Sequence, residues 1–306
     1  MSRVFVLGNA SLDTTLRVPR LPVAGETLMA TGIVRSPGGK GLNQAVVAAR
    51  AGAQVHFLAP LGTEPETALI RDALAREALA ECSLVDAGAP TDLSSLMVAP
   101  DGENCIVSTG ACCDALGEAV ALAFVAGMRA GDILLMQGNL TEKVTLAAML
   151  AARDRRARVM LNTAPLRWDY RRVLAQCDLV VANRHEALSI TGAPGAAEAG
   201  RVLAALGPRQ GQDAGVIITL GAQGCLASGE QGGHHPALKV AVVDSTGAGD
   251  TFCGMLAAMW ATRPAHPFRW IDAAQRAAAR TVSRQGCFAS FPSPAELAEI
   301  VLETQN

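Results

Sequence analysis

Residues 244–250 read DSTGAGD, and the apolar stretch TFCGMLAAMW at 251–260 follows them directly. This apolar stretch favours a helix, so the small residues at 247–249 form a turn at its start. Backbone N–H groups of such a turn, together with the unpaired donors of the first helical turn, can surround an anion without any charged side chain. The carboxylate of Asp250 lies beside that anion position, where it can accept a proton during phosphoryl transfer. The stretch therefore predicts a phosphate-binding turn with a general base next to it.

A second glycine-rich stretch, PGGKGLNQA at residues 37–45, opens another Ala-rich helical pattern. It matches neither the P-loop pattern G-x-x-x-x-G-K-[ST] nor the dinucleotide pattern G-x-G-x-x-G. Gly38 and Gly39 allow a ligand to approach the backbone closely, and Lys40 and Asn43 can reach the hydroxyl groups of a small polyol. This stretch therefore predicts a binding site for a small hydroxylated molecule.

Both glycine-rich stretches also have a simpler interpretation. Asp250 could be a first-turn acid that complements the helix dipole, with the glycines only making the turn. Residues 37–45 could be an ordinary helix start with a solvated Lys40. The residues of the two stretches leave these interpretations open, so the choice depends on the rest of the chain.

Short apolar runs alternate with longer Ala- and Leu-rich helical patterns along the chain, and two such helices are predicted near residues 41–51 and 141–153. This alternation is typical of βαβ units and predicts an α/β fold with a parallel sheet. The ligand crevice of such a sheet lies beyond the carboxyl ends of its strands. The predicted strands are VFVLG at 4–8, VHFLAPLG at 55–62, ILLMQG at 133–138, RVMLNTAP at 158–165, DLVVAN at 178–183 and GVIITLG at 215–221.

Two segments interrupt this rhythm, at residues 13–36 and about 92–110. Both are rich in Thr, Val and turn residues and lack a helical period, which favours β-hairpins. The pair Asp101-Gly102 in the second segment is a comparatively strong hairpin signal. We expect the two hairpins to form a small sheet that covers the crevice, as insertions in a single domain that spans residues 1–306.

The composition excludes several other classes of protein. The net charge is −2 and no run of Lys or Arg is present, so we expect no nucleic-acid partner. The apolar runs are far shorter than the roughly 18 to 20 residues of a membrane span, and the N-terminal MSRVFVLGNA has no signal-peptide pattern, which predicts a cytoplasmic protein without a membrane partner. The eight cysteines include no C-x-x-C pair and the five histidines have no metal-binding spacing, so we expect free thiols and no protein-bound zinc.

Several single residues at predicted strand ends are weaker candidates. Asp13 follows the first strand, where its carboxylate can accept hydrogen bonds from two sugar hydroxyls or can stabilise a turn. In the sequence ANRHE, Glu186 opens a predicted helix and can hold Mg²⁺ through water, although it is equally well explained as a first-turn acid. The turn from Thr219 to Gly224 ends another strand and is informative only in combination with the other motifs.

Seven motifs together resemble the ribokinase family of carbohydrate kinases, also called the PfkB family, over nearly the whole chain. They are LGNASLD, GET, GGKGLNQAVVAARAGA, NTAP, ANRHE, ITLGAQG and DSTGAGDTFCG, in the order that the family shows. The resemblance implies a doubly wound, mostly parallel sheet flanked by helices, with a small β-sheet lid that is often shared across a homodimer. It also implies a sugar kinase that uses ATP and Mg²⁺.

The resemblance also implies roles for individual residues. It assigns the catalytic base to Asp250 and the anion hole to Gly247, Ala248 and Gly249. It assigns sugar contacts to Asp13, Gly39, Lys40 and Asn43, nucleotide contacts to Asn183, Thr219, Gly221, Gly224 and Gln275, and the Mg²⁺-linked acid to Glu186. Many members of the family require a monovalent cation, usually potassium. The residues that match its site, mostly through backbone carbonyls, are Asp244, Thr246, Thr281, Arg284, Gly286 and Ser290.

Two sugar-site positions depart from the pattern of close ribokinases. Ser11 replaces an Asn two residues before Asp13, and Asn139 replaces a Glu after the strand at 133–138. An unmatched buried donor or acceptor costs roughly 1 to 3 kcal/mol, which is enough to redirect specificity. We therefore predict phosphorylation of a primary hydroxyl on ribose or a related pentose or ketose.

Two alternative functions stay open, and a third is disfavoured. A nucleoside or vitamin kinase of the same fold would bind an aromatic ring, which the single Tyr and few Trp and Phe residues make less favourable. A non-catalytic sugar sensor would have no need for an intact Asp250 and an intact turn at 247–249. An NAD-dependent dehydrogenase would need G-x-G-x-x-G after the first strand, where this chain has LGNASLD.

Overall fold

The structure, a computed structural model, describes residues 1–100, 104–207, 215–229, 232–263 and 265–304. The strands are β1 (Val4–Leu7), β2 (Ser11–Arg17), β3 (Gly32–Gly38), β4 (Val55–Leu61), β5 (Glu81–Asp86), β6 (Asp92–Val98), β7 (Asn104–Ser108), β8 (Ile133–Gln137), β9 (Arg158–Asn162), β10 (Leu179–Asn183), β11 (Gly215–Thr219), β12 (Cys225–Ser228) and β13 (Gly233–His235). The helices are α1 (Lys40–Arg50), α2 (Ala68–Leu74), α3 (Ala111–Ala115), α4 (Glu118–Ala126), α5 (Glu142–Asp154), α6 (Arg171–Leu174), α7 (Arg184–Thr191), α8 (Ala196–Leu206), α9 (Ala248–Thr262), α10 (Ile271–Val282) and α11 (Pro294–Glu303).

The large sheet has the strand order β13-β12-β11-β10-β9-β8-β1-β4-β5. All strands from β11 to β5 in this order are parallel, and β12 and β13 add an antiparallel hairpin at one edge. From β1 the chain winds outward to β4 and β5, returns to β8 and then winds the other way to β11. The winding reverses between β1 and β8, which is where a ligand crevice is expected. The predicted doubly wound, mostly parallel sheet is confirmed.

Helices cover both faces of this sheet because its central strands are apolar on both faces. In β1, Val4 and Val6 belong to a core cluster that includes residues of α1, α2, α9, α10 and α11. Phe5 and Leu7 belong to a second cluster that includes residues of α4, α5, α7 and α8. A continuous apolar run in the sequence is therefore the signature of these doubly covered strands.

Helices α1 and α9 approach each other unusually closely at Gly254. A Cβ atom added to Gly254 would lie 2.7 Å from the carbonyl oxygen of Gln44 and 2.8 Å from Cβ of Val47. Any larger residue at this position would push the two helices apart. The close packing brings residues from the first turn of each helix to one place at the end of the sheet.

A second, four-stranded sheet with the order β3-β2-β6-β7 forms what we call the lid sheet. Its two hairpins, β2 with β3 and β6 with β7, are antiparallel, and β2 joins them through parallel pairing with β6. Both predicted hairpins are therefore present, with the first extended by two residues at each end because Ser11 pairs with Gly38. The predicted turn at Asp101-Gly102 lies outside the described residues.

Three strands were not predicted from the sequence. β5 is a half-exposed edge strand with acidic residues at both ends, and β12 and β13 are only four and three residues long. Such short or amphipathic edge strands lack the continuous apolar run that marks the central strands. No helix within the described ranges is sufficiently long and apolar to serve as a membrane span.

Candidate active site

A cavity of about 1080 Å³ lies between the lid sheet and the carboxyl ends of the parallel strands. Asn9 follows β1, Asn139 follows β8, and Thr219 ends β11, so the cavity begins at the point where the winding reverses. The predicted site residues that line it are Ser11, Asp13, Gly39, Lys40, Asn43, Asn139, Asn183, Thr219, Gly221, Thr246, Gly247, Ala248, Gly249 and Asp250. The predicted site residues that do not line it are Glu186, Gly224, Asp244, Gln275, Thr281, Arg284, Gly286 and Ser290.

The turn before α9 presents the start of a 15-residue helix to the cavity. Gly247 has φ of 83°, a left-handed conformation, and an added Cβ would lie 2.8 Å from the ring of Phe291 and 3.0 Å from the sulfur of Cys287. Both constraints require glycine at this position. The first N–H groups of a helix have no intrahelical acceptor and carry the positive end of its dipole. The turn is therefore built to bind an anion.

Asp250 lies in the first turn of α9 and is only 6% exposed. Its Oδ2 accepts a hydrogen bond from Nδ2 of Asn43 at 2.9 Å, and its Oδ1 accepts one from Nε2 of Gln44 at 3.0 Å. The amine of Lys40 lies 3.9 Å from Oδ1, and this carboxylate raises the pKa of Lys40, so the amine stays charged. The two motifs identified in the sequence thus meet at one carboxylate.

The start of α1 lies against the end of β1. Gly39 has φ of 98°, and an added Cβ would lie 2.9 Å from the carbonyl oxygen of Asn9. The side-chain oxygen of Asn9 accepts a hydrogen bond from the N–H of Gly41 at 3.2 Å, which fixes the helix start. Oδ1 of Asn43 is buried and has no hydrogen-bond partner among the described residues. An acceptor of this kind, on a residue that lines the cavity, is available to a ligand hydroxyl.

The lid sheet contributes a row of polar side chains. Asp13 is 8% exposed, and its carboxylate accepts a hydrogen bond from Oγ of Ser11 at 2.8 Å. Ser94 and Ser108 continue the row across the sheet, with their hydroxyl oxygens 2.9 Å apart. Burial raises the pKa of Asp13 to about 6, although hydrogen bonds from Ser11 and Ser94 act in the opposite direction. This carboxylate is therefore ionised near neutral pH and protonated in mild acid.

Asn139 lines the same cavity, next to an arginine. Its Oδ1 is buried without a partner in the described structure, and its backbone carbonyl accepts a hydrogen bond from Arg167. Arg167 also holds both carboxylate oxygens of Asp114, each at 2.8 Å. Asp114 lies on α3, which follows the lid sheet, so this ion pair joins the lid segment to the body beside the cavity.

Only part of the predicted nucleotide site lies at the cavity. Asn183, Thr219 and Gly221 line it. Gln275 instead donates a hydrogen bond to the carbonyl oxygen of His235 at 3.0 Å, and a Cβ on Gly224 would lie 2.0 Å from that same oxygen. Gln275 and Gly224 therefore both lie next to His235 of β13 and do not line the cavity.

Glu186 is 6% exposed and already accepts several hydrogen bonds. It forms a capping box with Asn183, accepting from the backbone N–H at 3.0 Å and from Nδ2 at 2.6 Å, and it accepts from Oγ1 of Thr163 at 2.8 Å. Since an ionised carboxylate offers about four acceptor sites, roughly one remains for a water molecule. Within the described ranges no group of three or more His, Cys, Asp or Glu residues is arranged to hold a metal ion.

The residues predicted for a monovalent cation come from two neighbouring segments. Oδ1 of Asp244 accepts from the N–H of Thr246 at 2.9 Å and Oδ2 from the N–H of Gly286 at 3.0 Å, which ties the segments together. The remaining side chains have other partners: Thr281 with Thr251 at 2.8 Å, Arg284 with Glu296, and Ser290 with the carbonyl oxygen of Cys287 at 2.6 Å. The segments adjoin the turn before α9, and only Thr246 lines the cavity.

Several residues that line the cavity, and Gln44 next to Asp250, were not identified from the sequence. Asn9 follows β1 and could have been found from the strand-end rule, whereas Ser94 and Ser108 lie in lid strands that show no strict alternation of polar and apolar residues. Gln44 and Arg167 act through partners that are distant in the chain, so the sequence carries little signal for them. Two predicted free thiols, Cys113 and Cys287, also line the cavity, and burial raises the pKa of both well above the usual range.

Comparison with known proteins identifies one family and similar ribokinases. The family described as "pfkB family carbohydrate kinase" matches residues 1–294. A ribokinase from Haemophilus influenzae is 32% identical over 301 residues, which cover 97% of each chain. A ribokinase from Bacillus subtilis is 29% identical over 288 residues, or 94% of each chain.

Solved structures of similar proteins share the fold over nearly the full length. A ribokinase from Thermotoga maritima superimposes with a TM-score of 0.84 at 24% identity, covering 99% of this chain and 100% of that one. The structure of an Arabidopsis thaliana ribokinase complexed with ribose and ATP has a TM-score of 0.83 at 26% identity and covers 98% and 99% of the two chains. The lid sheet and the large sheet therefore belong to a known architecture.

Proposed function

The chain belongs to the pfkB family of carbohydrate kinases, and from that premise we propose that it transfers the γ-phosphoryl group of ATP to a primary hydroxyl of ribose or a related pentose or ketose. One observation carries the proposal most strongly. Asp250, the anion-binding turn and the buried Asp13 and Asn43 all face a single cavity. A hydroxyl acceptor, a proton acceptor and a phosphate can therefore meet there.

In this proposal Asp250 is the general base. It takes the proton from the acceptor hydroxyl as that oxygen attacks the γ-phosphorus, and the turn before α9 stabilises the charge on the transferred group. Asn43 and Gln44 hold one carboxylate oxygen each, which orients the base before the sugar arrives. Closure of the lid sheet over the cavity would exclude water and prevent hydrolysis of ATP.

The acceptor lies in this account between the lid sheet and the start of α1. Ionised Asp13 accepts hydrogen bonds from two sugar hydroxyls, and Oδ1 of Asn43, which has no partner among the described residues, accepts a third. Lys40, held charged by Asp250, donates to the sugar. Ser11 is smaller than the Asn, and Asn139 lacks the charge of the Glu, that close ribokinases have at these positions. The proposed class of acceptors therefore includes sugars whose hydroxyl pattern differs from that of ribose.

Nucleotide and Mg²⁺ complete the reaction. We assign ATP to the part of the cavity near Asn183, Thr219 and Gly221. Mg²⁺ commonly keeps several waters and uses one or two carboxylates with phosphate oxygens, and the remaining acceptor site on Glu186 fits a water-mediated contact of this kind. When bound, the ion neutralises charge on the phosphates of ATP.

A monovalent cation beside the anion-binding turn is a further part of the proposal. Asp244 supplies the only carboxylate among the six candidate residues and links the two segments that carry them. A bound potassium ion would add positive charge next to the turn. Turnover in potassium that exceeds turnover in sodium at equal ionic strength supports this assignment, whereas equal rates contradict it.

The outer face of the lid sheet suggests a homodimer. Strand register places Ile33, Leu93 and Val107 on the face away from Asp13, and they are 59%, 48% and 63% exposed. Burying these side chains against a second copy would remove apolar surface from water. Light scattering should give a dimer for the wild type and a monomer for Val107→Lys. A monomeric wild type at micromolar concentration would overturn this part.

An acceptor with an aromatic ring is not supported by the cavity. Its described lining contains no Phe, Tyr or Trp on which such a ring could stack. We also place the reaction in the cytoplasm, where ATP is available.

The experiment that tests the proposed function is a coupled assay of ADP formation with a panel of acceptors. The panel contains pentoses, ketohexoses, aldohexoses and nucleosides, each with ATP and Mg²⁺. We expect turnover with one or a few free sugars. Turnover with nucleosides alone, or sugar binding without any ADP formation, would contradict the proposal.

A further inference from the structure

One buried side chain next to Asp250 has every hydrogen-bonding group engaged. Gln44 is 0% exposed, and its Nε2 donates to Oδ1 of Asp250 at 3.0 Å and to Oδ1 of Asn162 at 3.2 Å. Its Oε1 accepts from Nε2 of Gln137 at 2.8 Å. Burying an amide is costly unless it is hydrogen-bonded, and an alkyl side chain would pack at this position without that requirement. The amide of Gln44 is therefore explained by its hydrogen bonds and not by its packing.

The orientation of the Gln44 amide is fixed by a chain of bonds that starts at the backbone. Nδ2 of Asn162 donates to the carbonyl oxygen of Val181 at 3.1 Å, so the oxygen of Asn162 must face Gln44. Gln44 must then turn its NH₂ group toward Asn162 and Asp250, and its oxygen toward Gln137. A flipped Gln44 amide would place its oxygen against the acceptor oxygens of Asn162 and Asp250.

The hydrogen-bonded side chains fit at the end of β1 only because Gly8 has no side chain. A Cβ atom on Gly8 would lie 2.1 Å from Oε1 of Gln137 and 2.8 Å from Cα of Gly41. Glycine at this position thus lets Gln137 reach Gln44 while α1 stays close to β1. Two strands, β8 and β9, and helix α9 each supply a side chain that bonds to the Gln44 amide, which makes it more rigid than a side chain held by one neighbour.

We propose that Gln44 is a positioning residue for the general base, an inference that rests on the proposed kinase function. Asn43, which also holds Asp250, lines the cavity and has an oxygen free for the sugar, so its geometry depends on the ligand. Gln44 does not line the cavity and is held by Gln137 and Asn162. Its geometry therefore does not depend on the substrate, and it sets the orientation of Asp250.

The direct test is the kinetics of Gln44→Leu, which removes the donor and keeps similar bulk. We expect kcat to fall roughly 10- to 100-fold, the range for one hydrogen bond to a charged group, while KM for sugar and for ATP changes less than about threefold. A folded Gln44→Leu enzyme with kcat within twofold of wild type, or one in which KM rises as much as kcat falls, would overturn the proposal.

Two further variants separate positioning from general destabilisation. Gln137→Met leaves Asp250 and Gln44 in place but removes the bond that orients the Gln44 amide, so we expect a smaller fall in kcat with KM again nearly unchanged. Thr145→Val is the matched control, because Thr145 is also 0% exposed and its hydroxyl lacks a partner in the described structure. It should leave kcat unchanged, and a fall in kcat equal to that of Gln137→Met would count against the proposal.

A double-mutant cycle with Asp250→Asn keeps the inference testable whatever the enzyme phosphorylates. If Gln44 acts through Asp250, adding Gln44→Leu to Asp250→Asn causes no further loss of residual turnover. The shifts of the urea midpoint should also be non-additive for this pair. If the wild type phosphorylates no sugar, the proposed function fails, but the urea cycle still decides whether the two side chains are coupled, and additive shifts would refute the coupling.

Discussion

The two walls of the cavity hold their polar groups in different ways. On the body wall, Asp250, Asn43 and Gln44 are at most 6% exposed and bond to side chains from different helices and strands. On the lid sheet, Asp13 is buried, but Ser94 is only half-buried and Ser108 is exposed. We therefore expect the body wall to be fixed before substrate binds and the lid wall to complete its contacts around the substrate.

This difference separates two kinds of role. Groups that act on the transferred phosphoryl need a fixed geometry, because small displacements of a reacting group cost large factors in rate. Groups that select the acceptor act through the hydroxyls that they bind, so changes there alter KM and specificity first. Substitutions on the body wall should consequently lower kcat, and substitutions on the lid sheet should raise KM for the sugar.

Apart from replacement of the general base itself, the largest effect is expected at the anion-binding turn of the body wall. Gly247→Val introduces a branched side chain at φ of 83° and within 3.0 Å of Phe291 and Cys287, so the turn must distort. We expect kcat/KM for ATP to fall roughly 10²- to 10³-fold, as for loss of a preorganised anion-binding donor. Steady-state kinetics checks this in a variant whose thermal melt remains cooperative. Gly249→Ala is the control, since its added Cβ meets nothing within 4 Å.

A smaller effect, on sugar binding, is expected from the buried carboxylate of the lid sheet. Asp13→Ala removes an acceptor for two sugar hydroxyls, so KM for the sugar should rise roughly 10- to 100-fold with kcat changed much less. Initial rates over a range of sugar concentrations measure both. If kcat fell as far as in a body-wall variant while KM stayed constant, the division between the two walls would be wrong.

The pH dependence of sugar use should also trace to the lid sheet. Burial raises the pKa of Asp13 to about 6, so the acceptor form is present above that pH and is lost as the pH falls below it. We expect kcat/KM for the sugar to drop by about tenfold per pH unit in that range, because this ratio reports the free enzyme. In Asp13→Asn the corresponding limb should vanish, and its persistence would assign the titration to another group.

The smallest effect is expected at the partly exposed hydroxyl of Ser94. Its Oγ lies 2.9 Å from that of Ser108 and contributes a hydrogen bond to Asp13. Ser94→Ala should raise KM for the sugar by about 2- to 10-fold, the range for one neutral hydrogen bond. Ser95→Ala, one residue along on the opposite face of the same strand, should change nothing. Equal effects of the two substitutions would point to a distortion of β6.

Sequence patterns predicted the large sheet well because its signals are local. Apolar runs mark the buried central strands, and the two glycine-rich stretches mark helix starts at strand ends. The meeting of Asn43 and Gln44 with Asp250 depends instead on the close approach of α1 and α9 at Gly254, which no local pattern encodes. The resemblance to a family supplied that proximity indirectly, by assigning both stretches to one site.

Other features of the site depend on contacts between distant residues. The ion pair of Arg167 with Asp114 joins two segments 53 positions apart, and nothing in either segment marks it. Gly224 and Gln275 were assigned to the nucleotide by resemblance and do not line the cavity, and the hydrogen bond from Gln275 to the carbonyl oxygen of His235 again joins distant positions. Edge strands escaped prediction because β12 has only four residues, of which two are buried, and β13 has three residues, of which none is buried.

The most direct test of the central claim is a comparison of wild type with Asp250→Asn, in which turnover and ligand binding are both measured. With the sugar identified by the acceptor panel, we expect kcat to fall roughly 10²- to 10⁴-fold, the contribution of a general base, while calorimetric affinities for ADP and sugar stay within a few fold. A variant that binds both ligands and turns over within tenfold of wild type would contradict the account, because another group would then be taking the proton.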